Sequence, residues 1–305
     1  MKISYEKGFK LEEIIFCPTA LCNLKCSHCF VEQKNISLYA DDSLSLLRDC
    51  AKNNPDIKIG FSGGEPFLNF PFVKKIVEEA IQLGLMFDRL MTNGVWWNSI
   101  ENLKKTLVQL KDAGFDGKFG LSFDSFHNQN LDKVCDFILA CHEIFCDDSC
   151  VEILSVINSA DEKKDSLEFE RQLEFIKGRT QTSHIAFYRF PQSFIPPDKI
   201  ELKDKKWFAE DYCQSTGNVF YIHADGNIAP CCGFANECSE LYIGTVKDDY
   251  ETLMHNIENN SMASLCYNYG LLKKARELQK QKILPKGKCS DMCGLCYWLC
   301  KNRGN

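Results

Sequence analysis

Between residues 13 and 190 the chain switches about six times between a short apolar run and a longer amphipathic stretch. Strand-like runs fall at 13–19, 57–62, 86–92, 118–123, 151–157 and 183–190, and helix-like stretches at 41–53, 71–84, 98–113, 129–145 and 163–178. Period-two apolar runs read as strands, and period-3.6 stretches read as helices. Strands separated by whole helices cannot pair as hairpins. They must pair in parallel through right-handed crossovers, which leaves a barrel or an open α/β sheet. Ligands in such folds sit at the carboxyl ends of the strands. Asp41, Asn69 and Asn98 stand where helix N-caps belong, and Gly84 and Gly114 where helices stop.

The rhythm breaks near Pro191. Pro196, Pro197 and the charged run 198–206 read as a linker. Beyond it, Ala224-Asp225-Gly226 between two apolar runs reads as a hairpin turn. Helical stretches are expected at about 248–259 and 262–282, before a cysteine-rich end at 289–300. The division predicted is residues 1–197 as an α/β core and 198–305 as a small domain of hairpin plus helices.

Eighteen cysteines occur in 305 residues, and residues 206–305 hold nine of them. A chain this long buries a full core without disulfide staples. The first ten residues lack a signal-peptide pattern, and no run approaches the roughly 20 apolar residues of a membrane span. The expectation is a cytoplasmic protein with reduced thiols, in which clustered cysteines mean metal or catalysis. A net charge of −6 argues against nucleic acid or an anionic membrane as the main partner.

Directly after the first strand comes Cys22-Asn-Leu-Lys-Cys26-Ser-His-Cys29. Three thiolates on one short loop hold three irons of a [4Fe–4S] cluster and leave the fourth iron open. The competing reading is a zinc knuckle completed by His28. Three further segments follow successive strands: Ser62-Gly63-Gly64-Glu65-Pro66, Thr92-Asn93-Gly94, and Leu121-Ser122-Phe123-Asp124-Ser125-Phe126-His127. Taken in this order, the four resemble the motifs of the radical SAM superfamily. The resemblance covers roughly residues 12–190. It implies a partial (β/α)6 barrel, with Cys22, Cys26 and Cys29 on a SAM-binding cluster. S-adenosyl-L-methionine would be contacted by His28, Gly63, Gly64, Glu65, Asn93 and Ser122. Glu65 would face the SAM amino group. His28 departs from the aromatic residue common at its position but still offers a flat ring. Asp124 and His127 could shape the site or serve only as structural groups. Cys17, Cys50, Cys135, Cys141, Cys146 and Cys150 read as small buried hydrophobes.

In the last third, Cys213 is followed after twelve residues by Gly226 and after four more by Cys231, and Cys293-Gly-Leu-Cys296 closes the pattern. This is similar to the twitch variant of the SPASM auxiliary-cluster domain. It implies one auxiliary [4Fe–4S] cluster on Cys213, Cys231, Cys293 and Cys296. A zinc ribbon on the same four residues is the alternative. Cys238, Cys266, Cys289 and Cys300 are left without a role, and any of them could replace one of these four ligands. Adjacent Cys231 and Cys232 follow a strand, where neighbouring side chains point to opposite sides, so one can ligate while the other faces a substrate.

Residues 221–232 and Met292–Cys296 resemble the radical SAM epimerase of epipeptide biosynthesis. That resemblance implies conversion of L- to D-residues in a ribosomally made precursor peptide, with Cys232 as hydrogen donor. A reduced flavodoxin or ferredoxin-like protein would supply electrons. With the first strand starting near residue 13, no N-terminal leader-binding domain is expected. The rival functions are a maturase forming thioether or carbon–carbon crosslinks and a non-catalytic zinc-binding interaction protein.

Overall fold

The computed structural model describes residues 9–158, 161–182, 185–192, 200, 202–208, 213 and 215–302. Pro196, Pro197 and part of the expected linker lie outside them. The chain forms two compact units. The first comprises Phe16–Gln192 with His223–Asp225; the second comprises Met1–Ile15, Ser193–Ile222 and Gly226–Asn305.

In the first unit, strand and helix alternate as expected. After β1 (Glu13–Phe16), which the two units share, come α1 (Ala40–Asn53), β2 (Lys58–Phe61), α2 (Phe70–Gln82), β3 (Met86–Thr92) and α3 (Ile100–Asp112). They are followed by β4 (Lys118–Ser122), α4 (Leu131–Phe145), β5 (Val151–Asn158), α5 (Glu162–Thr180) and β6 (Ala186–Gln192). Strands β2 to β6 pair in parallel with sequential neighbours. Leu90 registers with Phe119, and Leu121 with Ile153, all fully buried on the helix-covered face. Helix α4 buries Val134, Phe137, Ile138 and Cys141, the i, i+3, i+4, i+7 stripe of an amphipathic helix. The Phe137 ring meets that of Phe119 edge-on at 5.8 Å.

Gly84 and Gly114 follow α2 and α3 at positive φ, as expected. The caps differ. Asp41 falls inside the first turn of α1, and Tyr39 occupies its N-cap. Asn69 is at the N-cap of α2, but its side chain donates to Pro18 O at 2.9 Å. Ser99, not Asn98, caps α3, accepting from Asn102 N. Five of the six cysteines read as core residues are buried; Cys146 is exposed because it ends α4 in the left-handed conformation, φ 54°.

The second unit contains β7 (Val219–Ile222), β8 (Asn227–Ala229) and β9 (Gly244–Thr245) as an antiparallel set. Helices α6 (Tyr250–Asn259), α7 (Ser261–Ser264), α8 (Leu271–Lys280) and α9 (Met292–Lys301) follow. The long helix expected at 262–282 is broken. Residues Leu265–Tyr269 form a π-helical turn, and Gly270 at φ 102° starts a new axis that an L side chain would resist. The cysteine-rich end is mostly helix: α9 is capped by Asp291, which accepts from Gly294 N. Cys293, Cys296 and Cys300 therefore stand at i, i+3 and i+7, on one helical face. Among the described residues no helix is long and apolar enough to cross a membrane.

Candidate functional site

In the first unit, the segments that follow β1, β2, β3 and β4 are tied to one another by hydrogen bonds. The cysteine loop is latched by Thr19, 1% exposed. Its hydroxyl donates to Ile36 O at 2.9 Å and accepts from Leu21 N at 3.1 Å and Ser37 Oγ at 2.9 Å. Backbone bonds Ala20 N to Ile36 O and Leu38 N to Pro18 O close the loop's base. Sequence reasoning passed over Thr19, because a single threonine beside a strand has no distinguishing spacing.

The Gly-Gly-Glu segment lies against this loop. Gly64 N donates to Thr19 O at 3.1 Å and Glu65 N to Leu21 O at 2.7 Å. Gly63 has φ 111°, and a side chain there would overlap Cys17 Sγ; one at Gly64 would overlap Leu21 O and sit 2.7 Å from Leu21 C. Those obstacles at Gly64 are backbone. Gly64→Ala is therefore expected to push residues 20–22 out of place, at a cost of about 1–3 kcal/mol. Thermal unfolding and the iron content of the reconstituted chain would check this: unchanged values for both would contradict the packing.

Glu65 is fully buried. Its Oε1 accepts from Thr92 Oγ1 at 2.9 Å and Phe67 N at 3.3 Å, and Oε2 accepts from Asn93 N at 2.8 Å. Burial raises its carboxyl to about 7. The carboxylate thus holds the Thr92-Asn93 corner from inside.

Asn93, also buried, donates through Nδ2 to Asn23 Oδ1 at 2.8 Å and towards Cys22 Sγ at 3.7 Å; its Oδ1 accepts from Val95 N at 2.9 Å. Asn23 answers through Nδ2 to Val95 O at 3.2 Å. Half-buried Ser122 closes β4, and Gln129 bridges the two strand ends, donating to Ser122 O at 2.7 Å and Asn93 O at 2.6 Å. Gln129 was missed because its role depends on a turn that brings it back over β3.

Asp124, 4% exposed, accepts from His127 Nδ1 at 2.7 Å, Phe126 N at 3.0 Å and Val156 N at 3.1 Å. Burial alone would raise its carboxyl, but the His127 hydrogen bond and the nearby imidazoles hold it below the ordinary range. The His28 ring packs on Phe126 at 4.8 Å and His127 at 4.9 Å, and burial lowers its pKa. His28, Asp124 and His127 form the group of possible metal ligands that converges within 4.8 Å among the described residues. His28 therefore groups with these two. Bonds from His127, Phe126 N and Val156 N already occupy the Asp124 carboxylate.

Cys22 and Cys26 are half-buried and Cys29 is exposed, unlike the wholly buried core thiols. Burial pushes Cys22 up, and Cys26 up to about 12, with Cys22 and Cys29 adding to the effect on Cys26. A bound cation reverses that balance and favours thiolates. Leu24 N, at 3.4 Å, and Asn93 Nδ2 both point hydrogen at Cys22 Sγ, the arrangement that suits a metal-bound sulfur. The loop thus fits an iron–sulfur cluster.

In the second unit, Cys231 is 5% exposed while Cys232 is exposed. Gly233 N donates to Cys231 Sγ at 3.3 Å. Cys231 and Cys293 flank Gly233, whose absent side chain would sit 3.7 Å and 3.0 Å from their sulfurs. Burial pushes Cys231 well up and Cys293 up to about 12, and each also feels Cys213 and Cys232. Cys213, Cys231 and Cys293 are therefore brought together. Cys296 instead lies with Cys266, at 3.5 Å between sulfurs, and with Cys300.

Residues 16–168, just over half of the chain, match the family described as the Radical SAM superfamily, and the chain belongs to it. It is 21% identical over 294 residues to the putative peptide biosynthesis protein YydG of Bacillus subtilis, covering 90% of this chain and 88% of that one. It is 26% identical over 152 residues to a GTP 3′,8-cyclase of Clostridium acetobutylicum, covering 48% and 45%. Among solved structures, native anSMEcpe with bound AdoMet aligns with a TM-score of 0.57 at 16% identity, covering 96% of this chain and 95% of that one. BtrN in complex with AdoMet and 2-DOIA gives 0.54 at 15%, covering 86% and 93%. At these identities the likeness to both structures is one of fold.

Proposed function

We propose that this chain modifies a ribosomally made peptide by inverting Cα centres from L to D. The observation that carries this reading is the opposite exposure of two adjacent thiols, Cys231 buried and Cys232 exposed. The likeness to YydG across nearly the whole chain supports a peptide substrate. Residues 1–197 would hold the cofactor and residues 198–305 the auxiliary centre. Cys22, Cys26 and Cys29 would hold one [4Fe–4S] cluster. Cys213, Cys231, Cys293 and Cys296 would hold the other.

Given one electron from a flavodoxin- or ferredoxin-type donor through the first cluster, S-adenosyl-L-methionine would release methionine and supply a 5′-deoxyadenosyl radical that removes one hydrogen atom from a peptide Cα; restoring the thiol takes a second electron. The chain's own residues do the rest. Gly63 and Gly64, bare of side chains, let their segment pack on Cys17 and Leu21, which sets its backbone beside the methionyl end. Glu65 and Asn93 fix the segments around it. The His28 ring, backed by Phe126, offers a flat face to adenine, and Ser122 a hydroxyl to ribose. Cys232 gives its S–H hydrogen to the other face of the peptide radical. One electron from a flavodoxin- or ferredoxin-type donor and one solvent proton restore the thiol. No general base is required.

Hydrogen counting tests this. In heavy water the peptide should keep its residue composition and gain one solvent deuterium per inverted centre. A loss of two hydrogens with no solvent label would instead establish a crosslinking maturase.

A further inference from the structure

Cys266 has no place in the ligand set above, yet it is surrounded by it. It sits in the π-helical turn Leu265–Tyr269 and is 1% exposed. Its carbonyl accepts from Cys213 N at 3.0 Å, which fixes the two thiol-bearing residues side by side. Its sulfur is 3.5 Å from that of Cys296, and it acts electrostatically on Cys293. Three of the four thiol residues of the auxiliary set are thus its neighbours. A π-turn widens one helical turn and re-aims the side chains it carries, a local distortion common at functional sites.

We propose that Cys266 is a further ligand of the auxiliary centre, able to take the corner assigned to Cys296. This rests on the reading that Cys213, Cys231 and Cys293 hold that centre. Two sulfurs 3.5 Å apart lie within about one side-chain rotation of the same corner. Both thiols are buried with little access to water. Exchange needs no oxidant: one thiolate takes up a proton as it leaves iron, and the other thiol releases one as it binds.

The test is iron and sulfide analysis of the full chain, reconstituted anaerobically, with electron paramagnetic resonance of the reduced clusters. The wild-type chain should hold about eight irons in two [4Fe–4S] clusters. Cys296→Ala and Cys266→Ala should each retain about eight, and the double variant should fall to about four. Cys296→Ala alone at about four would overturn the inference, as would a double variant still at about eight. Circular dichroism of the serine pair, Cys266→Ser with Cys296→Ser, separates ligand loss from misfolding, and the single variant decides the question without it. Cys213→Ala is the control for the underlying reading. It should hold about four irons, and a value near eight would remove the auxiliary centre from these cysteines and the inference with it.

Discussion

Glu65→Ala lowers the stability of the folded chain by roughly 3–6 kcal/mol. The substitution leaves Thr92 Oγ1, Phe67 N and Asn93 N without their acceptor, and a buried donor without a partner costs about 1–3 kcal/mol. In a chain of 305 residues such a loss should lower the melting temperature by about 5–9 °C. Glu65→Gln keeps one acceptor oxygen but turns an NH2 group towards a donor, so it falls between the two. Thermal unfolding of the cluster-free chain reads the effect without any contribution from SAM. A loss below about 1 kcal/mol would mean that the Thr92-Asn93 corner is held by other contacts. SAM binding should weaken as well, because Asn93, which donates to Asn23 and towards Cys22 of the cysteine loop, loses its anchor.

The same carboxyl gives a pH signature. Its folded pKa, about 7, lies above its ordinary value of 4.5 because burial disfavours the charge. Between those values the folded chain carries a proton that the unfolded chain has lost. Glu65's contribution to stability therefore falls as pH rises from 4.5 to about 7 and is level outside that window. Glu65→Gln lacks this component, so its deficit relative to wild type should narrow across the window. Denaturant titrations at intervals of pH would show it, and a deficit that widens would reverse the assigned direction.

The parallel sheet was legible because alternation between period-two and period-3.6 patterns leaves parallel crossovers as the way to pair the strands. Cys22, Cys26, Cys29 and the glycine pair were legible because their spacing is itself the chemistry. Other features depend on contacts between residues far apart in sequence. Thr19 meets Ile36 and Ser37, Gln129 meets Asn93, and Asp124 meets Val156. None of these pairings leaves a local pattern. Glu65 stood out in its motif, but its bonds to Thr92 and Asn93 did not, because a motif does not state which distant strand end its carboxylate meets. The cysteine-rich end read as a ligand run rather than a helix. Once α9 is formed, Cys293, Cys296 and Cys300 share one face, and Cys293, at its start, flanks Gly233 together with Cys231. The π-turn at Leu265–Tyr269 had no signal beyond the glycine that ends it, and it is this turn that carries Cys266.

Under the proposed inversion, Cys232→Ala is expected to uncouple hydrogen abstraction from inversion. The side chain is exposed, so its removal should alter stability by no more than about 0.5 kcal/mol. SAM should still be cleaved and 5′-deoxyadenosine still formed in the presence of peptide. D-residues should fall to background, because the peptide radical no longer meets a hydrogen donor on its second face. Cys232→Ser should behave like alanine, since an O–H bond is too strong to yield its hydrogen to a carbon radical. Cys231→Ala should differ from both: it removes a buried sulfur beside Cys293 and Gly233, and its first effect would be loss of iron. Chiral amino-acid analysis of the hydrolysed peptide, paired with 5′-deoxyadenosine quantitation, separates the three variants. If Cys232→Ala produced D-residues at the wild-type rate, the exposed thiol would not be the donor. The reading that rests on the Cys231–Cys232 pair would then fail, while the family assignment, which rests on residues 16–168, would stand.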